Sequence, residues 1–351
     1  MNSNPLFTVI LAGYQTEPYL QKALDSIANQ TFHDFEAICY VEECTDCSLE
    51  MCQAMAERDS RFKVSTGPKS GGVGATRNYG IDHASGQYLV VLDGDDWLAE
   101  DMLEKLTDKL GKTGDIDVLS FAAVSTETED IDPASAQKLT NFSPEDQGGV
   151  FSGQDAIRKA GRNGGQFHAY TVLSIYRIAF LREYRLYQQL GVMEDFEWTP
   201  RVWYYAKKMG YLHEVFYFYR RRANSLTTEA SSRIIHDLTS HICSLLFFAS
   251  SEPVPDDILA IWSNQWTSIL YWFMFHPVTS RKIADADRKQ ALDKLLSGES
   301  RTQFLKLLSR ASRPKRLARP LLFLAAKGFQ RPAKVFFRKI YYPMLERRSG
   351  K

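Results

Sequence analysis

The run of five apolar or aromatic residues at positions 88–92, YLVVL, constrains the fold more than any other stretch of the chain. A short unbroken apolar run is typical of a strand buried on both faces of a parallel sheet. Asp93, Asp95 and Asp96 follow within four positions. Carboxylates this close raise each other's pKa unless a cation neutralises them, and oxygen ligands favour Mg²⁺ or Mn²⁺. The strand end therefore predicts a divalent cation site; the alternative is a turn in which Asp96 caps a helix beginning at Trp97.

Strand and helix patterns alternate through the N-terminal third of the chain. Apolar runs predict strands at residues 6–11, 35–41, 62–66, 88–92 and 116–121, with amphipathic helix patterns between them. This alternation predicts βαβ units and an α/β fold with a Rossmann-like, mostly parallel sheet flanked by helices. Because the carboxyl ends of parallel strands meet at one edge, Glu42, Glu43, the glycine-rich loop 71–74 and Asp93 are expected where a nucleotide would lie.

Composition excludes several classes of function. The formal net charge is +1 over 351 residues, which gives no overall attraction to nucleic acid, so no nucleic-acid partner is expected. The sequence has no signal-peptide core and no apolar run of the roughly 18–20 residues that span a bilayer, which predicts a cytoplasmic location. The odd total of five cysteines argues against a secreted disulfide framework.

A second acidic pair lies in the sequence GVMEDFEW at residues 191–198. Glu194 and Asp195 fit two interpretations, either helix N-terminal charges that interact with the helix dipole or functional carboxylates. The three arginines at residues 220–222 also fit two interpretations, a solvated strand end or a contact to a diphosphate or acceptor phosphate. The residues alone leave both choices open.

The C-terminal part of the chain differs in character from the rest. Residues 231–310 show helical patterns dense in aromatic side chains, and residues 311–351 contain twelve basic residues and one acid, interleaved with apolar groups. A basic amphipathic segment is typical of membrane-surface binding. The alternative is a packed helix pair with a solvated basic face.

Five stretches, taken together, resemble the family 2 inverting glycosyltransferases with the GT-A fold. They are VILAGYQTEPYLQKALDSIANQTF at residues 9–32, SLEMCQAMAERDSRFKV at 48–64, SGGVGATRNYGIDHASGQYLVVLDGDDW at 70–97, MEDFEW at 193–198 and YFYRRRANSLTT at 217–228. The likeness is greatest to bacterial enzymes of capsule, exopolysaccharide or lipopolysaccharide synthesis. It implies a GT-A catalytic domain that binds a nucleotide sugar over residues 1–230, a helical acceptor or accessory region over 231–310, and a basic amphipathic tail over 311–351.

The resemblance also implies roles for individual residues. Asp93 would contact the ribose, and Asp95, with Asp93 nearby, would hold the Mn²⁺ or Mg²⁺ that bridges the diphosphate. Arg77 would lie near the nucleotide or its phosphates. Asp195 would be the general base, with Glu194 beside it in the nucleotide-sugar site.

The chain departs from the family pattern after the second strand. Residues 42–45 read EECT where an Asn-Asp-Gly-Ser type of turn is usual, so Glu43 is expected to replace the aspartate that contacts the base. Ala12 and Gln15 replace the usual proline and asparagine near the first turn.

The resemblance implies a metal-dependent inverting glycosyltransferase. It would move a hexosyl or N-acetylhexosaminyl group from a nucleotide-sugar donor, expected to be UDP-linked, to a hydroxyl of a glycan or lipid-linked acceptor. The reaction is expected at the inner face of the plasma membrane, with peripheral membrane contact through the tail. Two alternatives are a non-catalytic nucleotide-sugar-binding scaffold of a polysaccharide assembly complex and a nucleotidyltransferase that releases pyrophosphate.

Overall fold

A computed structural model of the chain describes residues 4–162, 167–222, 231–275 and 283–310. The chain divides into two compact units. The first contains Met1–Lys159 and His168–Ser225, and the second contains Ala160–Phe167 and Leu226–Lys351. The basic tail and residues 223–228 of the last family-like stretch lie outside the described residues, so the predictions made for them stay predictions.

The first unit is built on a ten-stranded sheet. Its strands are β1 Phe7–Gly13, β2 Phe35–Glu42, β3 Phe62–Gly67, β4 Tyr88–Asp93, β5 Trp97–Leu98, β6 Val118–Thr126, β7 Lys138–Leu139, β8 Val150–Phe151, β9 Ser174–Arg177 and β10 Met209–Arg220. The helices up to the last strand are α1 Glu17–Ala28, α2 Ser48–Arg58, α3 Gly74–His83, α4 Met102–Thr113, α5 Gly153–Arg162, α6 Ile178–Glu183 and α7 Asp195–Tyr205.

The sheet order β3-β2-β1-β4-β9-β6-β10-β5 confirms the predicted α/β class. The longer strands pair in parallel, namely β3 with β2, β2 with β1, β1 with β4, and β6 with β10. β9 lies antiparallel between β4 and β6, where the sequence predicts no strand. The polar residues Ser174 and Arg177 break the apolar pattern that would indicate this strand. Their polar groups are paired in the fold, since Ser174 is hydrogen-bonded to Ser120 (Oγ–Oγ 2.7 Å) and Arg177 forms an ion pair with Asp117.

The parallel register aligns the carboxyl ends of the central strands. Every residue of β1 and of β2 is buried, which explains their nearly continuous apolar sequences. In the register, Ala12 of β1 lies beside Asp93 of β4, and Gly13 lies beside Val41 of β2. The chain therefore leaves three neighbouring strands at one edge of the sheet, as predicted.

The described part of the second unit is mainly helical. Its further helices are α8 Ser232–Ser251, α9 Asp256–Phe275, α10 Asp285–Leu295 and α11 Gly298–Arg310. Ser231 caps α8, since its Oγ accepts from the Ile234 N–H at 3.4 Å. Trp262 and Trp266 are buried and stacked with ring centroids 6.2 Å apart, one helical turn from each other. Among the described helices, none is both long and apolar enough to cross a membrane.

Candidate active site

The first acidic cluster begins where β4 ends. The turn that follows is held by Gly94, whose N–H donates to the Ala12 carbonyl at 2.9 Å. A Cβ at Gly94 would lie 2.8 Å from that carbonyl oxygen and 3.0 Å from Thr16 Oγ1, which is too close for any other residue. The turn leaves the side chains of Asp93 and Asp95 partly exposed, at 25% and 20%.

Asp96 has a structural role that differs from the predicted alternative. No helix begins at Trp97, which instead starts β5, and α4 begins only at Met102. The Asp96 carboxylate is buried and accepts hydrogen bonds from Tyr217 Oη (2.6 Å) and the Arg220 backbone N–H (2.7 Å). Asp96 therefore fixes the strand-end turn to β10, and the helix-cap interpretation is wrong.

The three arginines at the end of β10 have separate environments. Arg220 is buried and donates from Nε to the Asp95 backbone carbonyl at 2.9 Å. Arg221 is exposed and pairs with Glu127 at 3.3 Å. Arg222 donates from Nε to Asp95 Oδ2 at 2.6 Å. The two interpretations made from the sequence each treat the three arginines as one group, whereas the structure separates them. Of the three, only Arg222 places its charge on a candidate site carboxylate.

Burial and charge act together on the Asp95 carboxyl. Its partial burial raises its pKa, Arg222 lowers it, and the negative charge of Asp93 raises it again, with a net upward shift. A second cation near Asp95 would relieve this repulsion.

Arg77 joins the two acidic clusters. Its guanidinium is 4% exposed, donating from Nη2 to Asp93 at 3.1 Å and from Nη1 to Glu194 at 2.7 Å. The buried pairing uses both terminal nitrogens. That Arg77 lies near a nucleotide stays a prediction, and its contacts within the chain are with the two carboxylates and, at 3.4 Å, the Gln188 side-chain oxygen.

Helix α3 holds the segment that leads to the second cluster. Asn78 donates to the Gln188 carbonyl at 2.9 Å and accepts from the Gln188 N–H at 2.7 Å. A Cβ on Gly72 would lie 1.8 Å from the Gly191 carbonyl oxygen, so the glycine-rich loop is needed for this close backbone approach. Met193 has a left-handed φ of 66°, an uncommon conformation for a non-glycine residue, immediately before Glu194.

The second acidic cluster lies at the start of α7. Glu194 precedes the helix and Asp195 is its first residue, as the helix-dipole interpretation expects. Burial, together with the negative charge of Asp195, raises the pKa of Glu194 to about 8 despite its ion pair with Arg77. Asp195 is partly exposed and accepts from the Thr171 backbone N–H. Burial raises its pKa, while Arg77 and that hydrogen bond lower it, with a net upward shift.

The turn after β2 separates its two glutamates. Glu42 is buried and accepts from the Ser70 N–H at 3.1 Å and from the Ser70 hydroxyl. Glu43, the residue predicted to contact the base, is exposed, and its backbone N–H donates to the Gly67 carbonyl at 2.9 Å. Gln15 donates from Nε2 to Thr45 Oγ1 at 2.9 Å with a left-handed φ of 52°.

The strand-end carboxylates suit a cation that is shared with a ligand. Within residues 4–162, 167–222, 231–275 and 283–310, no group of three or more His, Cys, Asp or Glu is arranged to hold a metal ion. Mg²⁺ is usually held by one or two carboxylates together with substrate phosphates. Asp93 and Asp95 are partly exposed oxygen donors at a site with excess negative charge, and they fit that pattern.

Comparison with known proteins identifies the family. The model for glycosyl transferase family 2 matches residues 8–185, just over half of the chain. The chain belongs to this family.

Relatives and solved structures agree with the family assignment. The Bacillus subtilis protein EpsH is 27% identical over 232 residues, which cover 66% of this chain and 65% of EpsH. The S. aureus TarS 1–349 structure in complex with UDP-GlcNAc aligns with a TM-score of 0.74 at 20% identity, over 95% of this chain and 91% of that one. The mannosyltransferase PcManGT from Pyrobaculum calidifontis, in complex with GDP-Man and Mn²⁺, aligns with a TM-score of 0.52 at 16% identity over 96% and 84%. These structures share the fold of this glycosyl transferase family 2 chain.

Several residues of the site were not predicted from the sequence. Asn78 and Gln188 fix the approach to the second cluster, Thr171 holds Asp195, and Tyr217 holds Asp96. Asn78 follows Arg77 directly, so its place beside a predicted site residue was a usable signal. Tyr217 lies in the family-like stretch at residues 217–228, although that stretch does not indicate its contact with Asp96. Thr171 has no such signal, because its role depends on contacts with distant parts of the chain.

Proposed function

We propose that this protein is a metal-dependent inverting glycosyltransferase that moves a sugar from a UDP-sugar to a hydroxyl of a glycan or lipid-linked acceptor. The observation that carries the proposal is the double ion pair of Arg77 with Asp93 and Glu194, because it joins a strand-end acidic cluster to a helix-start acidic cluster. Family membership supports the reaction class, and the UDP-GlcNAc complex of TarS, which shares the fold, supports a UDP-linked donor.

The strand-end cluster would bind the donor diphosphate. Asp95, with Asp93 beside it, would hold the Mn²⁺ or Mg²⁺, which when bound supplies Lewis-acid stabilisation of the developing negative charge. Asp93 would contact the ribose as well. Arg222, now paired with Asp95, would add a positive charge beside the phosphates.

The helix-start cluster would remove the proton of the acceptor hydroxyl. Asp195 would accept the proton of the acceptor hydroxyl while the hydroxyl oxygen forms a bond to the anomeric carbon. The bond from that carbon to the diphosphate oxygen would break in the same displacement, which inverts the anomeric centre and releases the nucleoside diphosphate. The raised pKa of Asp195 suits this role because a stronger base takes the proton more readily.

The cellular setting is proposed as cell-surface polysaccharide synthesis at the inner face of the plasma membrane. The support is the basic tail, which lies outside the described residues, and the lipid-linked nature of one candidate acceptor. Co-sedimentation with vesicles of anionic lipid, with and without residues 311–351, tests the membrane contact. Equal binding by the two proteins would contradict it.

A donor screen tests the reaction class. The wild-type protein is incubated with UDP- and GDP-sugars, with and without Mn²⁺, and thermal stabilisation and nucleotide release are measured. We expect at least one UDP-sugar to raise the melting temperature in a Mn²⁺-dependent way and to release UDP slowly by hydrolysis. Stabilisation without release or transfer to any acceptor would favour the scaffold, and pyrophosphate release from a nucleoside triphosphate would favour a nucleotidyltransferase.

A further inference from the structure

The residue that precedes Thr171 is an exposed aromatic beside the candidate base. Tyr170 leaves 41% of its surface exposed. Its neighbour Thr171 donates its backbone N–H to the Asp195 carboxylate. The Tyr170 phenol lies near enough to Asp195 for that charge to contribute, after burial, to a raised phenol pKa. A large ring is therefore presented to solvent next to the carboxylate that would accept the proton.

The segment that carries Tyr170 is held rigidly. Asn141 accepts from the His168 N–H at 2.6 Å and donates to its carbonyl at 2.7 Å. Thr199 of α7 donates to the Ala169 carbonyl at 2.7 Å. Tyr176 donates from its hydroxyl to the Thr171 carbonyl at 2.7 Å. These bonds fix the backbone on both sides of Tyr170 relative to α7.

The Tyr170 ring also has an aromatic support. The His168 ring stacks on it, with centroids 5.6 Å apart and planes at 17°. Burial lowers the pKa of His168, so its ring is neutral at pH 7 and acts as a flat apolar neighbour. His168 therefore supports the Tyr170 ring, which remains open to solvent.

We propose that the Tyr170 ring, supported by His168, is the platform on which a pyranose ring of the acceptor packs, so that one of its hydroxyls reaches Asp195. The inference rests on the proposed function and names the chemistry of its second substrate. A pyranose has an apolar C–H face and a polar hydroxyl edge, which match an aromatic face beside a carboxylate. The phenol hydroxyl can also bond a sugar hydroxyl.

The test measures acceptor and donor binding separately. A panel of methyl α- and β-glycosides of glucose, galactose, mannose and N-acetylglucosamine is titrated into the full chain saturated with UDP and diamagnetic Mg²⁺, with saturation-transfer NMR as the readout. The variants are Tyr170→Ala, Tyr170→Leu and Tyr170→Phe. Tyr184→Ala is the matched control, because Tyr184 packs on Tyr205 at the opposite end of α7 from Asp195.

We expect at least one glycoside to bind the wild type. Binding should weaken about tenfold in Tyr170→Ala and in Tyr170→Leu, which lack the flat ring, and change little in Tyr170→Phe. The affinity for UDP should stay unchanged in all variants, which also shows that they are folded. Tyr184→Ala should bind both ligands as the wild type does.

Three results would overturn the inference. They are equal glycoside binding by the wild type and Tyr170→Ala, an equal loss in Tyr184→Ala, and no glycoside binding by UDP-loaded wild type. Failure of UDP itself to bind would instead overturn the proposed function, and with it the inference.

Discussion

The two acidic clusters of the site lie on different secondary structures, but each has one buried carboxylate next to a partly exposed one. At the end of β4, Asp96 is buried and fixed by β10, whereas its neighbour Asp95 is partly exposed. At the start of α7, Glu194 is buried and fixed by Arg77, whereas its neighbour Asp195 is partly exposed. In each cluster one carboxylate is buried with fixed partners and its neighbour is partly exposed.

The clusters differ in their counter-charges, which separates their proposed roles. Arg222 adds a cation at Asp95 beyond the Arg77 that both clusters share, whereas Arg77 is the cation that lowers the pKa of Asp195 most. A carboxylate paired with its own cation suits a charged ligand. A carboxylate that has a raised pKa and accepts a backbone hydrogen bond suits proton transfer.

The largest effect is expected from removing the link between the clusters. Arg77→Met leaves buried Glu194 without its cation, and above pH 8, where Glu194 is ionised, breaking this buried ion pair costs about 3–5 kcal/mol. Denaturant unfolding should show this loss in the free energy of unfolding. Arg158→Met is the control, since Arg158 is a partly exposed arginine paired with Asp155 within one helix and should cost about 0–1 kcal/mol. Equal losses would mean that Arg77 does not join the clusters.

Asp96→Ala tests the structural half of the strand-end cluster. It leaves the Tyr217 hydroxyl and the Arg220 N–H without their acceptor, which costs about 1–3 kcal/mol. Asp95→Ala should change the free energy of unfolding by less, because Asp95 is partly exposed. Both are measured by denaturant unfolding in donor-free buffer. A larger loss for Asp95→Ala would reverse the assignment of roles within this cluster.

The pH dependence of stability tests the buried half of the helix-start cluster. In the unfolded chain Glu194 loses its proton near pH 4.5, whereas in the folded protein it keeps the proton to about pH 8. The folded state binds more protons in this window, so the contribution of Glu194 to stability falls as the pH rises, by at most about 1.4 kcal/mol per pH unit. Unfolding of the wild type and Glu194→Gln between these pH values checks it. Parallel curves would contradict the raised pKa.

The smallest effect is expected at Arg222. Arg222→Ala should lower the rate of sugar transfer by about tenfold or less, because a partly exposed charge contact is screened by solvent. Arg221→Ala, a change in the adjacent exposed arginine, should leave the rate unchanged. Initial rates with saturating acceptor would show the difference. Equal rates for the two variants would remove Arg222 from the donor side.

The sequence predicts the strand-end cluster well and its connections poorly. The position of Asp93 at the end of a strand is predictable, because the apolar run before it is a local pattern and strands of a parallel sheet end at a common edge. The contact of Arg77 with Glu194 joins residues 117 positions apart, and no local periodicity reports it. The helix-cap interpretation of Asp96 failed for the same reason, since its true partner Tyr217 lies 121 positions away.

The prediction of the helix-start cluster rests on the family resemblance rather than on a local sequence pattern. Residues 193–198 match the family, but a helix N-terminus rich in acids is ordinary in any protein. The ion pair that holds buried Glu194 comes from α3, and the hydrogen bond from Thr171 and the exposed ring of Tyr170 come from the segment before β9. That strand was itself missed, so the surroundings of Asp195 were not predictable from the sequence.

A paired substitution at the two outward carboxylates tests the division of roles. Asp95→Asn and Asp195→Asn are compared for UDP-sugar affinity in the presence of Mn²⁺ and for the rate of transfer. We expect Asp195→Asn to keep donor affinity and lose about 10²–10⁴-fold in rate, as for removal of a general base, and Asp95→Asn to lose Mn²⁺-dependent donor affinity as well. Retained transfer by Asp195→Asn, or retained Mn²⁺-dependent donor binding by Asp95→Asn, would contradict the assignment.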